Sequence, residues 1–163
     1  MRKTILSILF SMCVTTYAQL PSTDPLQKSG EIFVKLSIPF IKLKQTVREG
    51  IDISIIDLGV VHWAGTSLPG EKGNVVLAGH RSTKTAPFYK IEGVRIGDQI
   101  LFTNKNKVVT EYKVYEMFVV DPTNMDIIYP PSNPNDSILT IFTCHPIGSK
   151  SKRFVVRARL SSP

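Results

Sequence analysis

From Glu31 onward the chain alternates apolar and polar positions in short runs: EIFVKLSI (31–38), IKLKQTV (41–47), NVVLAG (74–79), DQILFT (98–103), VVTEYKVYEMFVV (108–120), SILTIFT (137–143) and RFVVRARL (153–160). A period of two places alternate side chains on opposite faces of a strand, so each run predicts a strand. Turn-forming residues separate them, and Asn104-Lys105-Asn106-Lys107 between DQILFT and VVTEYKVY predicts a hairpin. Sustained helical periodicity is absent. One short helix is expected at Ala86–Glu92, where Pro87 suits a first helical turn. Many short strands joined by turns predict an all-β domain, either a closed barrel or a sandwich.

The N-terminus breaks this pattern. Arg2 and Lys3 precede the apolar run ILSILFSMCV, and Thr16-Tyr17-Ala18 supplies a small-x-Ala site. A basic start, an apolar stretch and a small-residue site together predict an exported chain, with residues 1–18 as a signal peptide or N-terminal membrane anchor. Residues 19–29, polar and twice interrupted by proline, read as a linker, and 30–163 as one folded domain. The net charge of +7 falls to +5 without Arg2 and Lys3. That balance suits anionic lipid or wall polymer. Nucleic acid is not expected as a partner, because the basic residues lack interleaved stacking aromatics and the export signal conflicts with it.

Of the two cysteines, Cys13 lies in the targeting segment, so the exported body holds only Cys144. An intramolecular disulfide and a zinc site built on paired cysteines are both excluded by that count, and no cofactor or metal is expected. Alternation in LTIFTC puts Thr140, Phe142 and Cys144 on one face and Leu139, Ile141 and Thr143 on the other, with the thiol where the strand ends. A nucleophilic thiol needs a proton shuttle and surroundings that favour thiolate. His145 is the next residue along the strand and points to the other face, while His62 precedes Trp63 at the start of a loop. His80, ending NVVLAGH at the rim of a core strand, is the candidate acid and base. Arg153 follows Cys144 by nine positions, enough for a tight loop, and begins the next strand, where its guanidinium is a candidate to hold an oxyanion. Arg157 and Arg159 alternate with apolar residues farther along, as on a solvated face.

These segments resemble a known family. The run Thr140-Ile141-Phe142-Thr143-Cys144 is similar to the T-L-x-T-C signature of sortases, the cysteine transpeptidases of Gram-positive cell surfaces. Leu77–Arg81 (LAGHR) resembles the segment bearing their histidine, and Arg153 before FVVRARL their arginine. HWAGTSLPGEKGNVVLAGHRST is similar to the corresponding stretch of the class D and class E branches, with Trp63 where tyrosine is frequent.

The resemblance implies an eight-stranded closed β-barrel with Cys144, His80 and Arg153 as catalytic residues, and Thr143, His62 and Trp63 near the substrate. The implied reaction cleaves a C-terminal sorting signal of the L-P-x-T-G or L-A-x-T-G type after threonine, through a thioacyl enzyme. The implied partners are surface proteins bearing that signal and an amine from a cell-wall precursor or pilin, with the membrane engaged through the N-terminus at the outer face of a Gram-positive cell. Two rival readings stand beside this one. An exported cysteine peptidase would pass the acyl group to water, and a catalytically silent surface-binding barrel would use its Lys and Arg as the functional face.

Overall fold

All seven alternating runs become strands in the structure, a computed structural model that describes residues 32–161. The expected signal or anchor and nearly all of the linker-to-domain junction, residues 1–31, lie outside the described residues. The elements are β1 (Ile32–Ile38), β2 (Leu43–Glu49), a one-turn helix α1 (Ile53–Ile56), β3 (Val60–His62), β4 (Gly73–Ala78), β5 (Gln99–Thr103), β6 (Val109–Val120), β7 (Ser137–His145) and β8 (Lys152–Leu160). Strand β1 pairs with both β2 and β5, and the eight strands run β1-β2-β3-β4-β7-β8-β6-β5 around a closed barrel. Closure decides between the two expected architectures: every strand has two neighbours, and no edge is left open.

Alternation sends Leu36, Ile38, Val47, Val75, Leu77, Ile100, Phe102, Leu139, Ile141 and Val156 into the barrel interior. Fully burying such a side chain contributes about 1.5–3 kcal/mol, so this layer dominates the stability of the fold. Tyr112 joins it with its ring edge-on to Phe102, and its hydroxyl accepts a hydrogen bond from Gly70 N at 2.9 Å. Burial pushes the Tyr112 phenol up from its ordinary value.

Most pairings are antiparallel, but β2–β3 and β4–β7 are parallel. The central pair β4–β7 is covered on both faces: Val75, Val76, Leu77, Leu139, Thr140 and Ile141 are all buried. Outside the wall a second apolar cluster forms, in which Ile55 of α1 packs on Val61 and Ala78, with Ile56, Trp63 and Phe142 at its margin. This outer layer is where the site is built.

Two elements differ from the sequence expectation. The segment 86–92 is not an α-helix: turns run through Pro87–Lys90 into a 3-10 turn at Ile91–Gly93. Ala86 sits at φ 39°, which ends regular geometry before Pro87, and the three-residue spacing of Phe88 and Ile91 matches the tighter turn that buries both. The hairpin at 104–107 forms as expected, with Asn104 N donating to Val108 O at 3.1 Å. Strand β3 was not anticipated, since three buried residues, Val60, Val61 and His62, are too short for alternation to register.

Ile141→Ala, at the centre of the barrel, should cost about 2–5 kcal/mol through lost burial and the cavity left behind. Ile96→Ala, at a residue 70% exposed, should stay within about 0.5 kcal/mol. Urea unfolding of the two variants checks this, and comparable losses would contradict the assignment of the interior.

Candidate functional site

Two residues beyond the last β4–β7 pair, Ala78 with Phe142, stand His80 and Cys144. Parallel strands carry paired residues on one side of the sheet, so the register delivers both side chains to the outer wall. On the other flank β8 runs antiparallel to β7, and Arg153 is directly opposite Cys144. The three residues are thus the ends of three adjacent strands, and all three line one cleft of about 370 Å³.

The strand ends are fixed in place by specific contacts. Thr143 is buried and donates its hydroxyl hydrogen bond to Gly79 O at 2.7 Å, joining the residue before Cys144 to the residue before His80. Gly79 must lack a side chain: a Cβ there would come within 2.9 Å of the Phe88 ring and 3.0 Å of Pro87. Phe88 N in turn donates to His80 O at 3.1 Å.

Cys144 is a half-buried free thiol. His80 Nε2 meets Asp57 Oδ1 at 2.8 Å, and that hydrogen bond, with lesser help from Lys84, holds the Asp57 carboxyl below its ordinary value. Arg153 donates from one Nη1 to the carbonyls of Lys150 and Lys152, each at 3.0 Å. Its Nη2 and Nε have no partner among the described residues and belong to the cleft-lining side chain. The cleft therefore offers a thiol, an imidazole and an incompletely satisfied guanidinium together. Its remaining walls are mostly apolar: Ile51, Ile53 and Ile56 on one side, Met125 and Ile128 on the other, with Trp63 and Phe142 in ring contact at 5.6 Å.

The residues expected near substrate separate into different environments. Trp63 lines the cleft. Thr143 contributes to its wall, but its hydroxyl is committed to Gly79. His62 requires a correction: it is only 1% exposed and does not line the cleft. Its Nδ1 meets Glu49 Oε2 at 2.7 Å, and its Nε2 meets Thr66 Oγ1 and Ser67 O at 2.9 and 3.0 Å. Alternation along β3 turns His62 inward and leaves the next residue, Trp63, facing the outer cluster. The expected solvated face of β8 also needs revision, because Arg157 is only partly exposed, stacking over the Phe118 ring at 5.2 Å. Arg159 is the exposed member.

Three features escaped sequence reasoning. Asp57, just after α1, is 23 residues before its partner His80 and belongs to no strand pattern. Asn74 and Thr140 sit on the outer face of β4 and β7, where an apolar residue would be expected. Thr140 donates to Asn74 Oδ1 at 2.9 Å, and Asn74 Nδ2 donates to Ile127 O and Tyr129 O, both at 3.0 Å, which ties the Met125–Ile128 wall of the cleft to the sheet. The third is Arg81, whose side chain is 1% exposed on the far side of the strand end from the cleft. It ion-pairs with Glu92, and its Nη1 lies 3.0 Å from His145 Nδ1 and 3.4 Å from Cys144 O. Glu92 Oε1 also lies 2.8 Å from His145 Nδ1. A signal was present, since Arg81 directly follows His80, but only the fold reveals what it holds.

A closed barrel with a cysteine, a histidine and an arginine converging on its outer wall is the arrangement that fold and site define. The family model described as the sortase domain matches residues 36–161. The chain belongs to the sortase family. It is 30% identical over 132 residues to Sortase D of Bacillus subtilis (79% of this chain, 64% of that protein) and 31% identical over 147 residues to Sortase SrtE1 of Streptomyces coelicolor (80% and 41%). The chain thus matches about two fifths to two thirds of the length of these curated relatives. Among solved structures it is similar to a Clostridium perfringens Sortase D5 transpeptidase, with TM-score 0.75 and 29% identity over 83% of this chain and 82% of that one. A Clostridium perfringens sortase C solved with the C-terminal cell wall sorting motif gives TM-score 0.74 and 29% identity, covering 83% and 73%.

The Arg81–Glu92 pair beneath the strand end generates a prediction. Hydrogen bonding to Arg81 holds the Glu92 carboxyl below its ordinary value, against an opposing effect of burial and with a smaller contribution from His145. A depressed carboxylate stabilises the fold above its unfolded pKa of about 4.3 and loses that contribution as pH falls through its folded value. Glu92 is 42% exposed, so solvent screens part of the interaction. Glu92→Gln should cost about 1–2 kcal/mol at neutral pH, as Arg81 loses its charged partner. Denaturation at about pH 7 and about pH 3.5 should show the gap from wild type narrowing at the lower pH. A constant gap would mean that the carboxylate charge is not what Arg81 needs.

Proposed function

We propose that the chain is a cysteine transpeptidase acting on a C-terminal sorting signal of the L-P-x-T-G or L-A-x-T-G type. The observation that carries this reading is the register that brings Cys144, His80 and Arg153 to one cleft on the outer wall, in a chain of the sortase family. The Cys144 thiolate attacks the carbonyl carbon of the signal's threonine, and the carbonyl oxygen becomes an oxyanion within reach of the Arg153 guanidinium. The C–N bond to the following glycine breaks, its nitrogen takes a proton from the His80 imidazolium, and a thioester to Cys144 remains. An incoming amine attacks the thioester carbonyl and gives its proton to His80. The new amide forms as the thiolate leaves.

The apolar walls suit the signal's leucine, and Trp63, bulky and half-buried beside Phe142, is positioned to affect the residue after it. An amine of a cell-wall precursor or pilin is the acceptor in this reading. Export through residues 1–18, by cleavage or as a retained anchor, would place the domain at the outer face of a Gram-positive membrane, where substrate and acceptor meet.

Mass spectrometry of the protein incubated with signal peptides varied at the second position, with and without an amine, reports adduct, acceptor use and preference together. Cys144→Ala should abolish adduct and product, and His80→Ala should lower turnover by about a hundredfold to ten-thousandfold. Products formed only by hydrolysis, whatever the amine, would favour a peptidase, and no adduct at all a binding barrel.

Arg153→Lys keeps the charge but loses the planar fork, and should lose at least about tenfold in rate, or about 1.4 kcal/mol of transition-state stabilisation. Arg159→Lys, on the exposed part of β8, should stay near wild type. Equal small losses in both would reduce Arg153 to surface charge.

A further inference from the structure

His80 is held by a group outside the three strand ends. Asp57 follows α1, a single helical turn that lies on the outside of the barrel because Ile55 packs into the cluster with Val61 and Ala78. Asp57 N donates back to Ile53 O at 2.9 Å, which closes the turn and fixes where the aspartate backbone sits. Its side chain reaches the end of β4 and meets His80 Nε2 at 2.8 Å, within good hydrogen-bonding distance. Among the described residues the other charged group on this carboxylate is Lys84, whose Nζ lies 3.6 Å from Oδ2 on a largely exposed side chain.

We propose that Asp57 is the positioning residue of the site, fixing the His80 ring so that Nδ1, and not Nε2, exchanges protons with the leaving and incoming amines. The inference rests on the transpeptidase reading above. An ionised carboxylate has no proton to donate, so the contact requires the proton on Nε2. In the neutral ring the lone pair is then on Nδ1, which has no hydrogen-bond partner among the described residues, while the ring lines the cleft beside Cys144. The contact also anchors the imidazole against rotation about its side-chain bonds. In the protonated ring both nitrogens carry hydrogen, and Nδ1–H is the one free to pass to the departing amine, with Nε2–H remaining on Asp57 throughout. The proton count therefore closes on one nitrogen: Nδ1 gives a proton to the glycine nitrogen in acylation and regains one from the acceptor amine in deacylation.

The direct measurement is the tautomer. Long-range 1H–15N correlation spectra of the 15N-labelled full chain, with His80 assigned by its loss in His80→Ala, should display the Nε2–H pattern for the neutral ring. Asp57→Ala should convert this to a tautomer mixture, while Asp57→Asn, whose amide oxygen still accepts from Nε2–H, should keep most of it. In turnover of one sorting-signal peptide at saturating amine, Asp57→Ala should lower kcat by about tenfold or more with little change in KM, a fraction of what a positioned acid and base supplies. Asp57→Asn should fall between wild type and Asp57→Ala.

An Nδ1–H pattern in the wild type, or an unchanged kcat in Asp57→Ala while His80→Ala is inactive, would overturn the role of Asp57 and leave the transpeptidase reading standing. Full turnover by His80→Ala would instead remove that reading, and the role of Asp57 in catalysis with it. Amide dispersion in the same spectra verifies that each variant is folded, so a structural collapse cannot pass for a loss of positioning.

Discussion

The parallel pairing of β4 with β7 is the constraint on which the site depends. Nothing in the chain requires residues some sixty positions apart to share a register, yet six consecutive pairs run from Gly73–Ser137 to Ala78–Phe142. The Thr143 hydroxyl then bridges to Gly79 O beyond the last pair. A slip of one residue would turn either His80 or Cys144 to the other side of the sheet and separate the imidazole from the thiol. Register is secured because both strands are buried on both faces, so a slip would also misplace Val75, Leu77, Leu139 and Ile141. Stability of the core and geometry of the site are thus one property.

The two sides of the barrel wall are used differently. The interior is a filled apolar core, not a binding cavity, so the cleft is constructed on the outside from elements laid against β4 and β7. Helix α1 is held there by Ile55, and the 125–129 segment by the hydrogen bonds that Asn74 donates to the carbonyls of Ile127 and Tyr129. Buried polar groups such as Asn74 and Thr140 are stable only because each is hydrogen-bonded. Their function in the fold is to fasten an irregular segment, which has no strand partner of its own, against a regular one. On the other side of the strand end, Arg81 braces the backbone of Cys144 and is neutralised by Glu92. Cys144 stands between an open outer cleft and a buried bracket on the other side that holds its backbone.

Much of the fold was legible because alternation is a local property. Each of the seven anticipated strands declares its two faces within five or more residues, and Asn104–Lys107 declares its turn by composition alone. The same locality explains what was missed. Strand β3 is too short to alternate visibly, and the 86–92 segment carries a proline suited to a helix start but a backbone at Ala86 and a spacing of buried residues that favour turns. The family resemblance implies a place near substrate for both His62 and Trp63. The structure buries His62 and leaves Trp63 at the cleft wall, because one residue along a strand is the difference between facing in and facing out.

By itself the sequence determined which candidate groups stand at the strand ends: a lone cysteine at one, a histidine at the end of a core strand and an arginine beginning the next one, each visible from residue type and strand boundary. It could not determine which groups meet. Asp57 is joined to His80, Glu92 to Arg81, and Thr140 to Asn74 across 23, 11 and 66 positions, and such pairings leave no periodic trace in the chain. Only closure of the barrel, which brings distant strands into one sheet and lays loops against its outer wall, decides them, because a hydrogen bond depends on separation in space and direction and not on distance along the backbone.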